Sequence, residues 1–307
     1  MRYSLVYSYI NIKHFMDIVS VFTKFKTQLQ CIKYLEKVRW NKKPICPYCG
    51  CVGATKVKET RYHHCGDCNK QFSVTVGTIF HDTKLPLQKW FLAIAIITNA
   101  KKGVSSLQLA RDLKVNQKTA WRIGMQIRKA MENDSDKQLF TGIVEVDECY
   151  IGGKPKKGDK KKDDDDLPRG RGTKKQGVIG VVSRESGEVK AQTQDKFTFV
   201  EMKAFLEKHV NFEKATLYTD DFTGYKPFKK MTKHSAVNHS YGEYVSEGDI
   251  HTNTIEGFWG IFKRSIVGSY HKLSKKHLDK YIQEYCFKYN NRNNKNMFDG
   301  LIKACVC

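Results

Sequence analysis

The chain has 307 residues, enough for two or three modest domains, and its 17 Phe and 15 Tyr supply ample material for a core. Its 54 Lys and Arg against 32 Asp and Glu leave a formal net charge of +22, the electrostatic footprint of a polyanion binder. No run reaches the roughly 18 apolar residues of a membrane span, and neither an amphipathic anchor nor a lipidation motif is visible, which argues against a membrane protein.

Residues 1–15, "MRYSLVYSYINIKHF", lack the clean apolar segment and small-residue cleavage site of a signal peptide. The amphipathic pattern begins only at Met16, a second possible start. Residues 16–40 read as one or two helices, with Leu29, Ile32, Leu35 and Val38 on one face. Then Cys46, Cys49, Cys65 and Cys68 form C-x2-C-x15-C-x2-C, in which each pair brings two thiolates onto one ion and the two pairs complete a tetrahedral S4 site. The expected ion is Zn²⁺ in a structural role, since four protein ligands leave no position open to substrate. Cys51, His63 and His64 are rival ligands that break the pair symmetry. With four of the ten cysteines in a metal spacing and no export signal, a reducing cytoplasm is the expected compartment.

"QFSVTVGTIF" alternates like a strand, and residues 86–132 read as wholly helical, with "WFLAIAIITNA" as a core helix. Within them, residues 105–113, a turn at 114–116 and residues 117–131 have helix-turn-helix dimensions. The second helix carries Lys118, Arg122, Arg128 and Lys129 for phosphates and base edges. A plain helical hairpin with solvated basic residues is the alternative.

An α/β pattern starts at Ile143. The strand "GIVEVDE" turns acidic at Asp147 and Glu148, and "ATLYTDDFTGY" ends likewise in Asp220 and Asp221. A helix over "HTNTIEGFWGIFKR" carries Glu256 and, two turns on, Lys263, on one face. Carboxylates from two strand ends and a helix suit one or two hard divalent cations, Mg²⁺ or Mn²⁺, which serve phosphoryl transfer. Each acid also has a plainer reading. Asn253 with Glu256 forms a capping-box-like pattern, and Asp220 and Asp221 precede a helix that they would cap. By alternation Glu148 points away from Asp147 and is left out of the ligand set. The charged stretch 154–176, with four Asp at 163–166, reads as a solvated loop.

The blocks "VEVDECYIGGK", "LYTDDFTGY", "VNHSYGEYV" and "HTNTIEGFWGIFKRSIVGSYHKLSKKHLDKYIQEYCFKYNNR", behind a four-cysteine ribbon, resemble the bacterial insertion-sequence transposases of the ISXO-like group, relatives of the eukaryotic Merlin elements. The resemblance runs from about residue 16 to about 301. It implies an RNase H-like catalytic domain at 140–301, behind an N-terminal helical segment (1–40), a zinc ribbon (41–82) and a helix-turn-helix-like DNA-binding region (83–135). It also implies metal-dependent cutting and joining of DNA by an assembly of at least two copies, acting on the terminal inverted repeats of a mobile element and on target DNA. The setting would be the bacterial cytoplasm and nucleoid, or the nucleus in a eukaryote. Carried over, Asp147 and Asp220 are the first two metal-binding acids. The third is Glu256, favoured by its charge, or Asn253. Lys263 grips a phosphate near the reacting strand, with Arg264 and His271 as further DNA contacts. Cys149 stands where Thr is usual, and Lys288 where Arg is common. The rivals are a zinc-ribbon/helix-turn-helix regulator without catalysis, a degenerate transposase that still binds DNA, and a nuclease without strand transfer.

Overall fold

The computed structural model describes residues 16–132, 138–153, 175–237 and 251–306. The alternative start at Met1, nearly all of the charged loop and most of "VNHSYGEYV" lie outside these residues. Two compact units are present. One runs to Asn99 and takes back the stretch from Asn293, and the other is Ala100–Arg292.

In the first unit, α1 (Ile18–Lys24) and α2 (Gln28–Trp40) are each capped by the side chain before them, Asp17 and Thr27. The buried face of α2 is Cys31, Ile32 and Leu35, whereas Leu29 is 54% exposed. Of the expected Leu29–Val38 stripe, Ile32 and Leu35 are buried as expected, while Cys31 and Trp40 take the places of Leu29 and Val38. α3 (Leu87–Asn99) is the expected core helix, and it packs with α2 and α9 (Met297–Val306) around Phe25, Tyr34, Phe91 and Phe298. That apolar cluster is why the chain divides at Asn99 and Asn293, inside the helical region expected at 83–135 and ahead of the catalytic end expected at 301. Three short strands, β1 (Thr55–Lys56), β2 (Tyr62–His64) and β3 (Gln71–Ser73), make the ribbon sheet. The strand expected over "QFSVTVGTIF" stops at Ser73, where Thr75 and Thr78 fold the chain into turns.

The second unit opens with α4 (Ser106–Leu113) and α5 (Gln117–Met131), joined through Lys114 in the left-handed conformation. Next comes a five-stranded sheet of β4 (Phe140–Ile151), β5 (Gln176–Ser183), β6 (Val189–Gln194), β7 (Val210–Asp220) and β8 (Lys233–Val237), in the order β6-β5-β4-β7-β8. The first three strands form an antiparallel meander, and β7 and β8 run parallel to β4. This is the RNase H-like arrangement. One face packs on α7 (Asn253–Ser265) and α8 (Lys275–Asn290) through Cys149, Val178, Val182, Phe258 and Trp259. The other packs on α6 (Phe199–Glu207) and the 3-10 turn Thr223–Lys230 through Val144, Val146, Phe205 and Tyr225.

Strand β6 is a sheet edge, and α8 closes it with side chains. Asp279 accepts from Thr193 N–H, Gln283 donates to the Ala191 carbonyl, and Asn290 both accepts from Val189 N–H and donates to its carbonyl. Residues 189, 191 and 193 share one edge of a strand whose period is two, while 279, 283 and 290 lie along one helix face, so the two repeats match.

Candidate active site and metal centres

Four sulfurs converge in the ribbon. Those of Cys46 and Cys68 lie 3.6 Å apart, those of Cys49 and Cys65 3.5 Å, and all four ligand atoms lie within 4.8 Å of one another. A tetrahedral ion with metal–sulfur bonds of about 2.3 Å needs sulfurs about 3.8 Å apart, so the set fits one. Each knuckle is closed by a left-handed residue just after its second cysteine, Gly50 (φ 76°) and Asn69 (φ 54°). The rival ligands fall outside the set. His63 is packed between Trp40 and Phe72, and Cys51 donates to its neighbour's carbonyl.

Asp147 and Asp220 are brought together by strand register. A shift at Gly142, which takes φ 66°, moves the parallel β4–β7 pairing so that Glu145 faces Tyr218. Continued by two residues in the same register, Asp147 stands beside Asp220, just beyond the last paired residues. The sequence places Asp147 at a strand end, but the structure does not. Strand β4 continues to Ile151, and Asp147 pairs with Gly180 of β5. Asp220 accepts from the Phe222 N–H at 3.2 Å and does not cap the 3-10 turn, which has no side-chain cap. Asp221 is exposed and outside the cluster.

Glu148 corrects the alternation argument. It leaves β4 on the opposite face and accepts from the buried Tyr225 hydroxyl at 2.8 Å. Yet its carboxylate reaches round the strand, and Asp147, Glu148 and Asp220 each offer an oxygen within 4.8 Å of the others. Its own N–H donates to Asp147 Oδ1 at 2.8 Å. Burial first, then the charges of Glu148, Asp220 and Glu256, push the Asp147 carboxyl up to about 8. Three acids at this spacing make a proton or a divalent cation the natural occupant, and the all-oxygen set fits a hard cation.

Glu256 and Asn253 lie on the exposed side of the first turns of α7, and the cluster of three does not include either. The expected capping box is absent. Asn253 is the first helical residue, the N-cap Thr252 makes no side-chain bond to the backbone, and its hydroxyl donates instead to Glu256 at 3.0 Å. The helix is capped from the sheet. Glu145, fully buried in β4, accepts from Thr254 N–H (2.9 Å), Ile255 N–H (3.0 Å), the Thr254 hydroxyl (2.8 Å) and Arg184 Nε (2.6 Å). Glu145 is not among the residues expected from the sequence, although a carboxylate between Val144 and Val146 of a buried strand is a signal for it. Gly180 lets the helix approach, since a Cβ there would lie 2.6 Å from the Trp259 ring.

Lys263, Arg264 and His271 are exposed. Lys263 is near enough to Cys149 to counter part of the burial that pushes this thiol up. On α5, Lys118, Arg122 and Lys129 are exposed, but Arg128 is buried and leaves the set available to DNA. It donates to Glu284 at 2.6 Å and lies 4.0 Å over the Tyr281 ring, while Lys288 donates both to Glu284 and to the Ala100 carbonyl. Arg128→Met is expected to destabilise the unit by about 3–5 kcal/mol in urea unfolding, because Glu284 loses a buried partner, whereas Lys129→Met stays within about 0.5 kcal/mol.

An RNase H-like sheet with clustered carboxylates beside its central strands, in a chain that also carries a four-cysteine ribbon, defines a transposase-type architecture. Residues 140–290 match the ISXO2-like transposase domain, and residues 26–71 match the transposase zinc-ribbon domain. The two matches take in well over half of the chain, which belongs to the ISXO2-like transposase family. It is similar to an uncharacterised protein of the transposable element ISH50 from Halobacterium salinarum, 28% identical over 277 residues, covering 85% of this chain and 90% of that one. Among solved structures it is similar to the HTLV-2 integrase catalytic core domain in complex with magnesium, at 15% identity, covering 50% of this chain and 86% of that one, with a TM-score of 0.29. A simian T-cell lymphotropic virus intasome in complex with a PP2A regulatory subunit gives 13% identity, coverage of 59% and 63%, and the same TM-score. Strand order, not superposition, carries the fold assignment. Among the described residues no helix is long and apolar enough to cross a membrane.

Proposed function

We propose that this chain is a DNA transposase that binds the terminal inverted repeats of its element, cuts there and joins the freed end to target DNA, working as a dimer or larger assembly. The observation that carries the reading is the register that sets Asp147 beside Asp220, with Glu148 reaching the same point, in a chain of net charge +22. Asp147 and Asp220 hold Mg²⁺ or Mn²⁺, with Glu256 or Asn253 as the third ligand from α7. The metal, when bound, supplies the Lewis acidity that phosphodiester chemistry requires. In the first step a water oxygen bonds to phosphorus and the element's 3′-oxygen leaves with a proton. In the second, the oxygen of that 3′-hydroxyl bonds to a target phosphorus as its proton departs, and the target's own 3′-oxygen leaves with a proton. Lys263 holds a phosphate beside the acids, and Arg264 and His271 extend that grip. Lys118, Arg122 and Lys129 of α5 contact the end, phosphates giving affinity and base edges specificity. The ribbon holds Zn²⁺ through Cys46, Cys49, Cys65 and Cys68 as a folding element of the end-binding region, and the setting is the cytoplasm and nucleoid.

The test is cleavage and strand transfer on a labelled element end with Mg²⁺, Mn²⁺ or EDTA, using wild type, Asp147→Asn, Asn253→Ala and Glu256→Gln. Metal-dependent nicking and joining that Asp147→Asn abolishes is the expected result, and whichever α7 variant fails names the third ligand. Binding without cutting in either metal would leave a DNA-binding protein only. Nicking without a joined product would leave a nuclease.

A further inference from the structure

We propose that Glu145 is a positioning residue that sets the third metal ligand over Asp147, an inference that rests on the carboxylate-site reading above. A carboxylate buried in the middle of a sheet costs several kcal/mol unless its partners are well placed. Besides the Thr254 hydroxyl at 2.8 Å and the His251 ring at 3.5 Å, the partners of Glu145 are of two kinds. Arg184 Nε, 2.6 Å away, supplies the opposite charge and is itself joined to the His251 ring and carbonyl. Thr254 and Ile255 supply backbone N–H groups of the kind every helix start leaves unpaired.

A helix capped by its own preceding side chain carries its cap wherever it goes. Here Thr252, in the capping position, bonds to Glu256 and not to the helix backbone. The cap comes instead from β4, two residues before Asp147 and, by alternation, on the same side of the strand. One strand therefore holds both the first proposed ligand and the anchor of the helix that brings the third. Asn253 directly precedes the anchored pair and Glu256 directly follows it, so Glu145 governs either. Gly180, paired with Asp147, leaves room for Trp259 and Ile255 of the same helix to settle on the sheet. Distances between ligands must hold to about half an ångström for a site of this kind to work, and hydrogen bonds behind the ligands supply that precision.

The test uses the full chain with Glu145→Gln, Thr254→Val and Asp147→Asn. Two readouts are taken, Mn²⁺ titration followed by calorimetry without DNA, and the Mg²⁺ dependence of cleavage at an element end. Glu145→Gln keeps the shape but turns an NH₂ toward Arg184 or toward the helix amides. It is expected to fold, to bind the end within about twofold of wild type, and to need about 10-fold more metal for half-saturation, with cleavage at saturating Mg²⁺ down about 10- to 100-fold. Thr254→Val keeps both backbone donors and is expected to move the metal curve the same way by about 2- to 3-fold. A folded Glu145→Gln that titrates metal like wild type overturns the proposal. Should Glu145→Gln not fold, a Thr254→Val metal curve identical to wild type overturns it. Should Asp147→Asn itself bind metal and cut normally, the carboxylate-site reading fails and this proposal falls with it.

Discussion

Asp147→Asn is expected to melt higher than wild type at pH 8 in EDTA, and to lose cleavage by on the order of 10³-fold or more. Both effects have one cause. Burial, then Glu148 and Asp220, raise the Asp147 carboxyl to about 8, so the folded chain holds a proton there that the unfolded chain gives up near the ordinary carboxylate value. A group whose folded pKa is raised contributes its stability at low pH and loses it as pH rises, here across the interval from about 4 to 8. The amide mimics the protonated acid, keeps an oxygen to accept from Glu148 N–H, and removes that penalty. The gain is roughly 3 °C or more at pH 8 and vanishes near pH 4. A divalent cation relieves the same repulsion by replacing the proton, so Mg²⁺ stabilises wild type more at pH 8 than at pH 5 and has little effect on the variant. Thermal melts over pH, with and without Mg²⁺, check all of this. A wild-type response to Mg²⁺ that does not change with pH would overturn the account.

Cys65→Ser is expected to unfold the ribbon and reduce binding to the element end by at least about tenfold, while Ala100–Arg292 stays folded. The strands of the ribbon sheet are two or three residues long, and its aromatic core is little more than Trp40, His63 and Phe72. Such a sheet does not hold on its own. Structural zinc sites supply about 10–16 kcal/mol of apparent binding energy, most of it folding energy. Zinc analysis should find one ion per wild-type chain and less in the variant, and limited proteolysis should open the loop around Lys58 and Arg61. Normal zinc content and normal end binding in Cys65→Ser would remove the metal role from these cysteines.

Features governed by local spacing were legible in the sequence. The four-cysteine cluster and the α4–α5 hairpin needed only short-range pattern, and Asp147 and Asp220 each showed as an acid following an apolar strand stretch, though the register that joins them did not. What escaped was whatever depends on a partner distant in the chain. Arg128 reads as one basic residue among several until Glu284 and Lys288 of α8 are placed against it. Even so, Gly124, Arg128 and Met131 continue the buried stripe of the helix, and that periodicity was available. Glu148 was misjudged because alternation fixes where a side chain leaves the strand, not where a long one ends. Glu145 was missed for the opposite reason. Its partners come from residues 184 and 254–255, and no local pattern announces them.

The side chains of α8 that bond to β6 also bear on how the chain is made. A nascent chain that has emerged only as far as β8 holds a sheet whose outer strand still shows Val189, Ala191 and Thr193 backbone groups to solvent. An unpaired edge of that kind recruits a strand from another molecule. Synthesis must reach Asp279, Gln283 and Asn290 before that edge is sealed, so fragments ending short of Lys275 are expected to associate through it, which sedimentation of such fragments would check. In the finished chain the same seal occupies the β6 backbone groups that a strand from a second copy would need.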